Sequence, residues 1–305
     1  MHKNDYHIPV LLAECINGLD INPDGIYVDV TFGGGGHSKA ILSQLNNGQL
    51  IAFDQDDDAF ANALTDKRFA LFKSNFKYVP NFLRYYKINK ANGILADLGV
   101  SSFQIDNPER GFSFRAEAKL DMRMNKSAAT SAADILNNYT QEQLKYIFKN
   151  YGEIQNAGKI AADIVTYRDN KKMEFISDLL KAIEKDMPKF NQHKYLAPLF
   201  QAIRIEVNNE LDSLKDLLTS ATRILKPEGR LVVLTYHSLE DRLVKNFIKS
   251  GNFEGTIESD IYGNVKTPFV AVNKKVITAT TEELEQNNRS RSAKLRIAKR
   301  TIYEY

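Results

Sequence analysis

The chain has 305 residues, 43% hydrophobic and 26% charged, enough for one large domain or two ordinary ones around a real core. Its 16 glycines and 8 prolines are too few for a collagen-like or low-complexity chain, and no apolar run approaches the roughly 20 residues of a membrane span. The single cysteine, Cys15, excludes a disulfide framework and a cysteine zinc site, and a net charge of +3 is too mild to announce a nucleic-acid binder.

The start, Met1-His2-Lys3-Asn4-Asp5, lacks the apolar stretch of a secretory signal, so the expected location is the cytoplasm. Cys15 reads as a small buried residue on a helix. Ile26-Tyr27-Val28-Asp29-Val30 is a β-branched strand candidate, followed by a glycine cluster and the helix-compatible Ser38-Lys39-Ala40-Ile41-Leu42. Leu50-Ile51-Ala52-Phe53 is a second strand ending at Asp54, Phe69-Ala70-Leu71-Phe72 a third, and Gly93-Ile94-Leu95-Ala96 a fourth ending at Asp97. Short strands separated by helix-length segments indicate βαβ units and a parallel, doubly wound sheet.

That rhythm stops near residue 105. Residues 141–151, 157–168, 175–185 and 196–205 each carry apolar residues at helical spacing, with no strand between them. Val207, Leu211, Leu214, Leu218, Ala221 and Leu225 then form one helical stripe, stopped by Lys226-Pro227-Glu228-Gly229 before a strand over 230–236. A helix over 241–248 and an alternating strand at Lys294-Leu295-Arg296-Ile297 follow. The division expected is a Rossmann-like domain of residues 1–104 and 206–305, interrupted by a helical insertion of residues 105–205.

The most informative stretch is Asp29-Val30-Thr31-Phe32-Gly33-Gly34-Gly35-Gly36-His37-Ser38. Consecutive glycines between strand and helix let the backbone pass close beneath a ligand, with free N–H groups at the helix start. A Walker loop would need Lys and Ser/Thr after its last glycine, and His37-Ser38-Lys39 follows instead. A dinucleotide fingerprint would need Gly or Ala where Ser38 or Lys39 stands, which weakens a nicotinamide-dependent oxidoreductase. S-adenosylmethionine needs no phosphate cradle, only close approach of the chain to its amino-acid moiety. Asp54, 21 residues beyond Gly33, stands where a strand-end carboxylate accepts both ribose hydroxyls, and Asp97 would border the reacting methyl group. The bland alternative is a tight turn flanked by two solvated acids.

With those residues in place, the chain resembles the 16S ribosomal RNA cytosine-N4 methyltransferase family (MraW), nearly end to end. The resemblance rests on seven motifs in order: His7-Ile8-Pro9-Val10-Leu11-Leu12-Ala13-Glu14, the turn at 31–38, Asp97-Leu98-Gly99-Val100-Ser101-Ser102, Arg110-Gly111-Phe112-Ser113-Phe114 with Leu120-Asp121-Met122-Arg123-Met124, Phe200-Gln201-Ala202-Ile203-Arg204, His237-Ser238-Leu239-Glu240-Asp241-Arg242, and 289–296. Tyr236 replaces a more usual Phe and Lys294 interrupts a more apolar tail, both read as exposed or conservative; the stretch between Arg242 and Arg289 is short for the family. The resemblance implies a class I S-adenosylmethionine-dependent methyltransferase fold with an inserted, mostly helical domain that recognises RNA. It also implies cofactor contacts at Gly34, Gly35, Gly36, His37, Asp54, Phe76, Asp97 and Gln104. In that scheme Phe76 covers the adenine and Gln104 meets the methionine end, while His37 sits near the methionine carboxylate rather than acting as a base. The acceptor it implies is a cytidine of the decoding centre, near the P site of 16S rRNA in the small ribosomal subunit.

Asp97, with the backbone carbonyls of 98–100, is then expected to orient the cytosine amine. Between 289 and 300 there are six cations and no acid, Arg289, Arg291, Lys294, Arg296, Lys299 and Arg300. With Arg110, Arg115, Arg123, His237 and Arg242 they form the expected RNA contacts, and Phe112 and Phe114 could stack on bases. Ser238 is the expected cap of the following helix. His2, His7, His193 and His237 share no close spacing with His37, so no metal is expected. A non-catalytic RNA-binding assembly factor would explain the basic tail but not the glycine turn with both carboxylates. The sequence leaves monomer or homodimer open.

Overall fold

The computed structural model describes residues 9–259, 262–263 and 266–303; His2, His7 and Ile8 lie outside them. Seven strands among the described residues form one sheet: β1 (Ile26–Asp29), β2 (Gln49–Asp54), β3 (Phe69–Lys73), β4 (Ala91–Asp97), β5 (Leu225–Thr235), β6 (Phe269–Ala271) and β7 (Lys294–Arg300). Their order is β3-β2-β1-β4-β5-β7-β6. The first five strands are parallel, and β7 enters antiparallel between β5 and β6. The chain builds outward from β1 to β3, then returns to place β4 on the other side of β1. That reversal makes the carboxyl ends of β1 and β4 the switch point where ligands of doubly wound sheets bind.

The strands read as nearly continuous apolar runs because both faces are covered. Val28, Ile51, Ile94, Leu231 and Val233 point into one core, and Tyr27, Leu50, Leu95, Val232 and Leu234 into the other. The helices are α1 (Leu12–Leu19), α2 (Gly36–Ser43) and α3 (Val79–Tyr85), then α4 (Ser102–Asp106), α5 (Ala132–Asn138), α6 (Gln141–Asn150), α7 (Ala157–Arg168), α8 (Ile176–Ala182) and α9 (Gln192–Asn208), and finally α10 (Glu210–Ile224), α11 (Ser238–Ser250) and α12 (Thr281–Gln286). Cys15 is fully buried on α1. The single stripe expected from Val207 to Leu225 is broken. Asn209, at φ 48°, ends α9, Val207 packs with the helical core, and Leu225 opens β5. β5 therefore begins five residues before the expected Arg230, with its pairing to β4 interrupted around Glu228 at φ 69°. The Lys226–Gly229 segment is an irregularity within the strand rather than a bare helix stop. No helix among the described residues is long and apolar enough to cross a membrane.

The chain divides into two compact units, Met1–Gly99 with Leu211–Tyr305, and Val100–Glu210. The second is helical, around Ile135, Leu144, Phe148, Ile160, Leu179 and Leu199. Capping boxes at Ser131/Asp134 and Thr140/Gln143 start α5 and α6. Within this unit Asp178 is buried and accepts hydrogen bonds from Lys171 Nζ (2.6 Å), Tyr167 Oη (3.0 Å) and the N–H groups of Glu174 (3.1 Å) and Phe175 (3.0 Å). Burial alone would raise its carboxyl; these donors overcome that and hold it well below the usual carboxylate range. Asp178→Ala is expected to cost about 2 kcal/mol at neutral pH, because it removes a buried carboxylate on which four donors converge. Since the folded-state pKa is the depressed one, the gap between wild type and variant should close as pH falls below about 4. Denaturant melts at pH 7 and pH 3 check both.

Candidate active site

β1, β2 and β4 end side by side on Asp29, Asp54 and Asp97, and the glycine turn is tied to all three. Asp29, 1% exposed, accepts the Thr31 N–H (3.1 Å) and the Ser38 hydroxyl (2.6 Å). Thr31 Oγ1 in turn accepts the Asp97 N–H (2.6 Å). Gly33 N–H donates to Asp54 Oδ2 (2.7 Å), and Asp56 N–H to Asp54 Oδ1 (2.9 Å). The four glycines answer different needs. A Cβ on Gly35, at φ 75°, would lie 2.8 Å from the Phe32 ring, and one on Gly36 only 2.2 Å from Pro9 Cγ. Those two are required by the protein's own packing. Gly33 and Gly34 face space in which a Cβ would meet nothing within 4 Å, so here the bare main chain is open to a ligand.

Burial pushes the Asp54 carboxyl up to about 6, with the Asp56 and Asp29 charges acting the same way against its two N–H bonds. Asp29 is raised as well, chiefly by burial. Phe76 follows β3 in a short turn capped by Asn75, whose amide donates to Gln55 Oε1 (3.0 Å) just beyond Asp54. The ring is half-buried against the sheet's core.

Asp97 is held from two sides. Tyr236 Oη donates to Asp97 Oδ1 (2.6 Å), and His37 Nδ1 lies 3.7 Å from Asp97 Oδ2. His37 Nε2 is 3.1 Å from the Val10 carbonyl, which can only accept, so that nitrogen carries a proton. Tyr236 is thus neither exposed nor merely conservative. It is half-buried, and burial together with Asp97 raises its phenol so that it remains a donor. Its own N–H donates to the buried Glu240 (2.9 Å), which also lies 3.2 Å from His237 Nε2. Sequence reasoning missed Asp29 and Tyr236. Asp29 could have been found as a third strand-end acid; Tyr236 carries no such signal.

Residues 4–301 match the MraW methylase family. The chain belongs to that family. It is 56% identical over 299 residues to a protein named ribosomal RNA small subunit methyltransferase H from Phocaeicola vulgatus, with 98% of each chain covered. A protein of the same name from Parabacteroides distasonis is 57% identical over 297 residues, with 97% of each covered. Among solved structures, an rRNA methylase from Streptococcus thermophilus aligns over 95% of this chain and 93% of its own at 10% identity, with a TM-score of 0.41.

Within this MraW member, most of the expected RNA contacts prove to be occupied. Arg110 is 5% exposed and donates to the carbonyls of Arg123 (2.9 Å) and Met124 (3.0 Å). Arg123 forms a two-bond pair with Asp121 and reaches the Ala128 carbonyl (2.7 Å). Arg296 (2.7 Å) and Lys294 (3.3 Å) both bind Asp241, and Lys299 binds Glu228 (2.6 Å). Arg300 is buried among carbonyls of Thr222 and Pro268. The basic run that looks acid-free along the chain is therefore partly paired in space, with three of its six cations on Asp241 and Glu228 and a fourth buried among carbonyls. His237 is not a surface group but the cap of α11, its Nδ1 facing the Glu240 N–H at 3.5 Å; Ser238 is the first helical residue. Phe112 lies under Arg110 and Phe114 packs edge-on against Phe200, and both rings are partly buried against the helical core. Arg115, Arg242 and Arg291 are exposed and Arg289 is half-buried. Gln104 belongs to the helical unit, where its side-chain oxygen accepts the Ser101 N–H (3.0 Å) in a capping box.

Proposed function

We propose that this methylase acts in the cytoplasm on the exocyclic N4 amine of a cytidine in the decoding centre of 16S rRNA, within the small ribosomal subunit. The methyl donor is S-adenosylmethionine, which when bound supplies a methyl group on a sulfonium, open to in-line displacement by a neutral amine. The observation that carries the reading is the row of strand-end acids beside main chain at Gly33 and Gly34 that has room in front of it. The donor set fits that ligand: Gly34, Gly35, Gly36 and His37 line the amino-acid end, Asp54 takes the ribose hydroxyls, and Phe76 covers the adenine. Residues 105–205 contribute RNA recognition.

An exocyclic amine is a poor nucleophile because its lone pair is delocalised into the ring. Asp97 Oδ2 and the Leu98 carbonyl accept its N–H bonds, which localises the lone pair and stabilises positive charge as it develops. Once the methyl group is transferred, the nitrogen is cationic with two protons; one of them passes to Asp97 Oδ2, beside His37 Nδ1, and the other stays on the product. Tyr236 keeps Oδ1 occupied, so Oδ2 is the oxygen presented. Tyr236→Phe removes one charge-assisted bond. It is expected to lower turnover about tenfold with donor affinity within a few-fold, and to move the acid limb of the pH–rate profile upward, because a carboxylate that loses a donor is more easily protonated.

The test of the reaction is nucleoside mass spectrometry of 16S rRNA from cells with and without the gene. N4-methylated cytidine should disappear in the deletion and return on complementation; an unchanged level removes the assignment.

A further inference from the structure

Between Asp66 and Asp97 the sequence has seven lysines and arginines and no carboxylate. Part of this charge is used locally: Arg68 pairs with Asp66, Lys73 with Asp57, and Lys90 donates to the Arg223 carbonyl (2.7 Å). Lys77, Arg84 and Lys87 have no carboxylate at salt-bridge distance among the described residues. They alternate with three tyrosines that the fold leaves in water, Tyr78 (48% exposed), Tyr85 (80%) and Tyr86 (50%).

The inner side of this segment explains why the outer side is fixed. Val79 and Leu83 are buried, and Phe82 packs edge-on against Phe53 at 5.3 Å, seating α3 on the sheet's core. Tyr86 rests on Phe72 of the outermost strand, β3, and holds Tyr85 edge-on at 5.1 Å. Lys77 Nζ lies 5.0 Å over the Tyr78 ring. Lys77 and Tyr78 sit in the turn before α3, and Arg84 and Tyr85 in its last turn, so a cation beside a tyrosine stands at each end of the helix.

Exposed rings interleaved with uncompensated cations suit a polyanion that carries its own flat faces. An acidic peptide would use the charges and leave the rings unmatched. A bilayer would need an outward apolar face, and the apolar face of α3 is already in the core. We propose that the outer face of residues 77–87 is a docking surface for an unpaired RNA strand, with phosphates on Lys77, Arg84 and Lys87 and bases stacked on Tyr78 and Tyr85. This rests on the reading that the methylase acts on RNA, and it adds to the partly paired C-terminal run a contact at the edge of the sheet.

The test uses the full chain, a fluorescent unstructured oligoribonucleotide of about a dozen nucleotides and anisotropy over a salt series. Lys77→Glu/Arg84→Glu/Lys87→Glu should weaken binding at least tenfold at low salt and flatten the slope of log Kd against log salt by about 2, at roughly 0.7 per lost contact. Tyr85→Ala should weaken it about fivefold or more, without changing that slope. Melting temperature and S-adenosylmethionine affinity should match wild type in both. Absence of binding by the wild type, or equal affinity and slope in the variants, overturns the surface. So does a defect confined to the assembled small subunit, which would assign the face to a ribosomal protein. If patch-dependent RNA binding holds while N4-methylcytidine is not formed, the proposed reaction falls and the surface stands.

Discussion

Asp97→Asn is expected to lower turnover on small-subunit RNA by about 10²–10³-fold, the cost of removing a preorganised group aimed at developing charge. The geometry makes this substitution harsher than its size suggests. Tyr236 donates to Oδ1, so the oxygen of the Asn side chain is kept on that side and its NH2 group replaces Oδ2. A donor then faces the amine that needs an acceptor, and the carboxylate that takes the released proton is gone. His37 Nδ1 lies 3.7 Å from that position and, with the ring proton on Nε2 toward the Val10 carbonyl, is an acceptor for the new NH2 group rather than a replacement for the lost carboxylate. Single-turnover rates under saturating donor separate this from a binding defect. A rate within threefold of wild type would remove Asp97 from the chemistry. Lost donor affinity with normal saturated turnover would make it a cofactor residue alone.

What could be read from the sequence was what local order encodes. Asp54 and Asp97 are legible because each ends an apolar run that only a buried parallel strand explains, and the topology then sends both to one edge of the sheet. The glycine turn is legible as a turn, though not the division of labour within it: Gly35 and Gly36 answer to Phe32 and Pro9, while Gly33 and Gly34 answer to open space. Tyr236 was opaque because its partner is 139 residues away, across the β4–β5 pairing. The pairing within the tail is hidden for the same reason. Arg296 and Lys299 find Asp241 and Glu228 at separations of 55 and 71 residues, which no count along the chain registers. Conversely, the cations around α3 are spread thinly enough not to look like a cluster, and only exposure of the three tyrosines beside them marks that face. The helix break at Asn209 and the three-residue β6 escape because one left-handed residue and one short edge strand are below the resolution of periodicity.

Asp54→Ala should weaken S-adenosylmethionine binding by about 100-fold or more, since two hydroxyl-to-carboxylate bonds at about 1.5–3 kcal/mol each are lost. The substitution also frees the Gly33 and Asp56 N–H groups, loosening the turn that carries the other contacts. The wild-type pH dependence gives the finer test. Burial holds this carboxyl near 6 before ligand arrives, and hydroxyl donors favour only its ionised form. Binding therefore expels a proton wherever Asp54 is still protonated, and affinity must rise with pH up to about 6 and level off above it. Below that value the apparent Kd should climb by up to about tenfold per unit of falling pH, the limit for one linked proton. Calorimetry at pH 5, 6 and 7.5 in buffers of different ionisation enthalpy measures both the affinity and the proton released. Asp54→Asn, which cannot titrate, should bind weakly and equally at all three. A wild-type affinity that is flat across this range, or a variant that retains the slope, would place the ribose on some other group and leave Asp54 as a brace for the turn.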